Sequence, residues 1–297
     1  MIYTVRHATR YVYRQAVDLS THVLHLTPRP LPSQTVLSTS IVCDPAPARR
    51  RDGVDHFGNL VTWLFVDLPH PSFEVLAEST VNVRFPDPPP VNDTPGWEAV
   101  ASAAQAGGPI GWRAAEFLFE SPMAGASAEA AAYAARSFPP GRPVLDGLLE
   151  LNERIYEDFT FRAGVTTLAT PVSEIMARRE GVCQDFTHLM LSALRGIGLP
   201  ARYTSGYIRT RPPAGQQRRL GADQSHAWAG CWLGPDHGWI DLDPTNGIVV
   251  KDEHVVVAWG RDYSDITPVR GMLLGGGDHS LSVGVDLEAV GPVEPVP

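Results

Sequence analysis

The sequence predicts an α+β fold, with an all-β N-terminal region ahead of a larger region of amphipathic helices and a β-hairpin. Three observations carry this prediction. Over residues 1–86, apolar and polar side chains alternate in several short runs, the period-two signature of half-buried strands. After Cys183, the residues Phe186, Leu189, Met190, Ala193, Leu194 and Ile197 recur at i, i+3, i+4, i+7 spacing, which is one face of a helix. Residues 225–233 and 239–244 are strand-like runs joined by Gly234-Pro235-Asp236-His237-Gly238, a hairpin signal.

Taken in order, the first run alternates through Tyr3, Val5, His7, Thr9, Tyr11 and Tyr13, and later runs through Val61, Trp63 and Phe65, then Phe73 to Phe85. Pro28-Arg29-Pro30, Asp44-Pro45, Asp52-Gly53, Phe57-Gly58-Asn59 and Pro69-His70-Pro71 supply the turns between them. Residues 1–86 therefore read as a sandwich-like β domain. His22 and His25 lie three apart, on opposite faces of a strand, so they read as core or surface histidines and not as metal ligands. Pro86-Asp87-Pro88-Pro89-Pro90 is a stiff break, and a Pro/Ala/Gly-rich linker is expected over 87–110. The remainder, 111–297, is expected to form a second domain with a C-terminal β extension. Its helices are expected around 112–120, 127–137 and 143–158, and a short one after Thr170-Pro171 is expected to close at Gly181. A strand over 202–209 leads into a polar loop, and Arg209, Arg211, Arg218 and Arg219 form a positive cluster there.

Composition narrows the function. The chain has 297 residues and a net charge of −9, which argues against a nucleic-acid partner. No apolar run reaches membrane-spanning length, and the start lacks an apolar leader segment, so a cytoplasmic protein with no membrane partner is expected. Cys43, Cys183 and Cys231 are too few and too widely spaced for a disulfide framework or a zinc site. No cofactor or metal is expected.

Cys183 stands apart from the other two. It falls in the first turn of its helix, at the inward edge of the apolar stripe, where free N–H groups and the helix dipole favour thiolate. A nucleophilic thiol needs a base, and the base needs an acceptor to fix its tautomer. If the hairpin sets Trp232 opposite Trp239, then Trp228 faces Asp243, and His226 and Asp243 become diagonal neighbours on one face. Asp241 shares that face and is the second choice of acceptor. His188, about 140° round the helix from Cys183, reads as surface or structural. Asp185 reads as complementing the helix dipole. Cys43 and Cys231 read as inert small hydrophobes. Trp228, Trp232 and Trp239 read as packing residues, with Trp228 placed to line the cleft.

Three blocks of sequence carry a family resemblance. They are Gly181-Val182-Cys183-Gln184-Asp185-Phe186-Thr187-His188, Ser225-His226-Ala227-Trp228, and Gly238-Trp239-Ile240-Asp241-Leu242-Asp243-Pro244-Thr245-Asn246-Gly247. Together they resemble the transglutaminase-like superfamily, and more narrowly its bacterial branch with a β-rich N-terminal region. Phe57-Gly58-Asn59, the N-terminal strands and the stretch from Gly260 to Pro268 are similar to that branch as well. The resemblance implies a papain-like core, with a Cys-bearing helix packed on an antiparallel sheet. It also implies a catalytic triad of Cys183, His226 and Asp243, which makes 111–297 the catalytic domain. Gln184 stands where animal transglutaminases carry Trp, and the sequence has no acidic calcium loop like an EF-hand, so calcium-dependent crosslinking is not the expected activity. The expected function is thiol acyl transfer on protein or peptide amides through a thioester, more hydrolytic than transamidating. The alternatives are a protein-crosslinking transglutaminase and a non-catalytic interaction module.

Overall fold

Strand β1 (Ile2–Leu24) organises the N-terminal half of the molecule. The computed structural model describes residues 1–106, 108–209 and 225–291. Successive strands are β2 (Gln34–Asp44), β3 (Arg49–Val54), β4 (Leu60–Val66) and β5 (His70–Val83), all antiparallel in the order β2-β5-β1-β4-β3. One half of β1, Ile2 to Val12, pairs with β5, and the other, Ser20 to Leu24, pairs with β4. The strands paired with either half share one core, in which Leu64 and Val66 of β4 meet Phe73 and Val75 of β5, with Val17 and Leu24 of β1 between them. The single sheet thus folds over itself and buries its inward side chains as a sandwich does.

The expected linker contains regular structure. Pro86 to Pro90 is irregular, but α1 (Trp97–Ala106) follows, with Val100 and Ala104 buried in the main core. An Ala-rich stretch of low amphipathic contrast still packs when its small side chains allow close approach. Next come α2 (Gly108–Ala115), α3 (Ala128–Ala135), α4 (Val144–Asp158), β6 (Thr160–Phe161), α5 (Val172–Arg178), β7 (Glu180–Gly181) and α6 (Cys183–Gly196). The second sheet comprises β8 (Ala201–Ile208), β9 (Ser225–Trp232), β10 (Trp239–Asp243), β11 (Ile248–Val249) and β12 (His254–Gly260), in the order β11-β10-β9-β8-β12. The last strands, β13 (Val269–Gly275) and β14 (His279–Gly291), return to pair with β1. These two strands thus complete the N-terminal sheet.

Helix α6 is central. Its apolar stripe, including Phe186, Leu189, Met190, Ala193 and Leu194, is fully buried, and the small residues Ala227, Ala229 and Cys231 on β9 admit it to the sheet. The opposite face is buried too. Ser192 donates to Gly125 O, and Arg195 donates to Ala201 O and Ser121 Oγ. His188 is buried, stacks obliquely on Tyr203 and accepts from Tyr263 N, so it is structural. A polar helix face points to water only if no further layer covers it, and here loops and helices do.

Gly206 on β8 leaves no room for a side chain. A Cβ there would lie 2.0 Å from Val255 O and 2.5 Å from the Trp228 ring. Gly206→Ala is expected to destabilise the fold by about 3 kcal/mol through overpacking against backbone. A drop in the denaturant midpoint at unchanged slope would show this.

Candidate active site

The turn that presents Cys183 is built by three residues. Arg179 closes α5 in the left-handed region at φ 57°, two residues before the glycine expected to do so. Gly181 serves another purpose: a Cβ there would lie 2.9 Å from the Asp185 side chain. Asp185 Oδ2 needs that space, because it accepts from Val182 N (2.8 Å) and Thr166 Oγ1 (2.7 Å) and so caps the start of α6. Burial raises the Asp185 carboxyl above its ordinary range, against those two hydrogen bonds. Cys183 is the first residue of the helix and half-buried.

The hairpin takes the expected register, with Trp239 opposite Trp232 and Leu242 opposite Ala229. His226 and Asp243 consequently meet: Nε2 lies 2.7 Å from Asp243 Oδ2, and both residues are buried. A carboxylate only accepts, so this nitrogen donates to Asp243, and Nδ1 is the nitrogen left to exchange a proton. Burial disfavours a charged His226, yet the hydrogen bond it donates to Asp243 and the neighbouring Cys183 outweigh it and lift the imidazole to about 10. Against its own burial, Asp243 is held well below the usual carboxylate range by His226, His254 and Asn246. Its Oδ1 accepts from Thr245 N (3.0 Å) and Asn246 N (3.2 Å), and its Oδ2 also accepts from Asn246 Nδ2 (2.7 Å).

Sequence reading missed Asn246 and His254. The Asp-Pro-Thr-Asn run after β10 carries a turn signal that locates Asn246. His254, whose Nε2 lies 3.3 Å from Asp243 Oδ2, arrives from a strand three places across the sheet and leaves no local trace. Donor atoms of His226, Asp243 and His254 lie within 4.8 Å of one another, close enough to hold a metal. Hydrogen bonding accounts for the same contacts, and it leaves no free lone pair on His226 Nε2.

The rival residues are placed elsewhere. Asp241 lies 3.8 Å from Arg202, and burial raises its carboxyl above the ordinary range despite that guanidinium. Trp228 is fully buried and packs 6.0 Å from the His226 ring, so it does not line an open cleft. Burial pushes the Cys43 thiol up to about 11 and the Cys231 thiol higher still. His22 stacks on Phe73 at 3.9 Å, and His25 bridges Thr267 O and Asp55. Arg211, Arg218 and Arg219 lie outside the described residues.

A cysteine at a helix N-terminus, set against an antiparallel sheet that carries a His–Asp pair, defines a papain-like arrangement. The chain belongs to the transglutaminase-like superfamily: residues 131–244 match its core, and residues 3–82 match the bacterial transglutaminase-like N-terminal region. An uncharacterized protein of Mycobacterium tuberculosis is 39% identical over 289 residues, covering 96% of this chain and 92% of that one. A segment of 68 residues, 23% of this chain and 10% of its relative, is 37% identical to a protein-glutamine gamma-glutamyltransferase of Pseudomonas aeruginosa. A candidate cysteine protease from Cytophaga hutchinsonii shares the fold, with a TM-score of 0.73 at 22% identity over 99% of this chain and 92% of that one. Among the described residues, no helix is long and apolar enough to cross a membrane.

Proposed function

We propose that this protein is a thiol acyl-transfer enzyme acting on amide bonds of proteins or peptides, with Cys183 as nucleophile, His226 as acid and base, and Asp243 as the acceptor that fixes the His226 tautomer. The observation that carries the reading is the buried 2.7 Å contact between His226 and Asp243, on a ring that Cys183 also acts on. In this mechanism the Cys183 sulfur bonds to the carbonyl carbon, and the proton it gave to His226 passes to the departing amine as the C–N bond breaks. The N–H groups at the start of α6 face the charge that develops on oxygen. Water then adds to the thioester, His226 takes its proton, and the acid leaves as the thiol is restored.

Hydrolysis is the favoured outcome because Cys183 is only half-buried, which leaves the thioester open to water. Transamidation is the second reading, and the segment similar to a gamma-glutamyltransferase favours it. Incubation with a glutamine-bearing protein and a labelled primary amine separates the two. More ammonia or new chain ends than incorporated label is expected, and label outrunning hydrolysis would reverse the preference. The reading includes a cytoplasmic site of action, which the three free cysteines support.

A further inference from the structure

Asp243 Oδ2 receives a second imidazole that the chemistry above does not use. His254 opens β12, is 1% exposed, and places Nε2 3.3 Å from that oxygen. Facing a carboxylate, Nε2 must carry a proton. Nδ1 is buried with no hydrogen-bond partner among the described residues and has no acceptor for another proton. The ring packs edge-on against Trp228, with centroids 5.2 Å apart at 79°. An aliphatic side chain would fill the same space without leaving a buried nitrogen unsatisfied, so the imidazole is retained at a cost to stability.

We propose that His254 is a positioning residue that tempers Asp243, drawing on the carboxylate's charge so that His226 releases its proton more readily to the leaving amine. The proposal rests on the acyl-transfer reading of Cys183, His226 and Asp243. Asp243 does not need His254 to hold its place, because Thr245 N, Asn246 N and Asn246 Nδ2 already fix both oxygens. Removing His254 therefore changes the charge that His226 meets and leaves the geometry in place.

The titratable groups facing His254 are Asp243 and Asp241 from β10 and His226 from β9. From β8, Tyr207 has its hydroxyl bonded to His7 Nδ1. In the turn before His254, Lys251 pairs with Asp87, Asp252 accepts from Phe85 N, and Glu253 acts on Tyr3.

The test is an NMR titration of the His226 ring in wild type, His254→Phe and His254→Gln. Phenylalanine keeps the packing against Trp228 and removes the donor, and the His226 midpoint is expected to rise by roughly half to one pH unit, the worth of one lost hydrogen bond. Glutamine restores a donor and is expected to bring the midpoint back toward wild type. An unchanged or lowered midpoint in His254→Phe overturns the proposal. Imidazole ¹⁵N shifts of the wild type give a check that needs no variant: His254 is expected to be protonated at Nε2 alone, and a proton on Nδ1 overturns the proposal equally. Neither measurement needs substrate. If Cys183 proves unreactive while the His226 midpoint still rises, the acyl-transfer reading fails and the effect of His254 on His226 stands.

Discussion

Asp243→Asn is expected to lower kcat by about 10⁴-fold while leaving the protein folded, because it would reverse the His226 tautomer. The amide oxygen can still accept from Thr245 N and Asn246 N, at 3.0 and 3.2 Å in the native structure. Its NH₂ group then faces His226 Nε2, His254 Nε2 and Asn246 Nδ2, which are all donors to the native carboxylate. To avoid a clash of donors, His226 must move its proton to Nδ1, and the lone pair needed by Cys183 is lost. The crowded donors cost about 1–3 kcal/mol of stability, which near-ultraviolet circular dichroism and a denaturant midpoint would register. Asp241→Asn is the control. Asp241 faces Arg202 and not His226, so turnover is expected to stay far closer to wild type. If Asp241→Asn proves the more damaging change, Asp243 is not the acceptor.

His226→Ala is expected to slow turnover by about 10²–10⁴-fold, since both proton transfers lose their carrier. It also predicts a stability signature. The imidazole stands at about 10 in the folded protein against 6.5 as the ordinary value. The folded state thus binds the proton more tightly, and its stabilising contribution is complete below pH 6.5 and lost as pH rises through about 10. Wild-type Tm is expected to fall across that window, and the His226→Ala profile is expected to be flatter. Parallel profiles would mean that the ring gains no charge stabilisation from Asp243 and Cys183.

Much of the candidate site was legible because its determinants are local. The hairpin turn and the period-two alternation around Trp232 and Trp239 set one register, and that register brings His226 and Asp243 together. The apolar stripe of α6 likewise identified the face that meets the sheet. It carried no information about what covers the opposite face, so the burial of His188 and Arg195 was not foreseen. Gly181 read as a helix stop, whereas its missing Cβ makes room for the Asp185 cap. His254 and strands β13 and β14 depend on pairings far apart in the chain, β1 with β13 and β14 above all. Such pairings follow from tertiary packing and have no short-range sequence signal.

The central claim is that Cys183 is an activated nucleophile, and selective alkylation tests it most directly. The intact protein would be treated with a limiting dose of iodoacetamide near neutral pH, digested, and examined by mass spectrometry for label on each cysteine. Burial pushes up the thiols of Cys43 and Cys231, whereas Cys183 is half-exposed at the start of α6 beside His226. The expected result is that Cys183 carries most of the label in wild type and little of it in His226→Ala. Equal labelling of the three cysteines, no labelling of Cys183, or labelling of Cys183 that is indifferent to His226 would contradict the enzyme reading and favour a non-catalytic member of the superfamily.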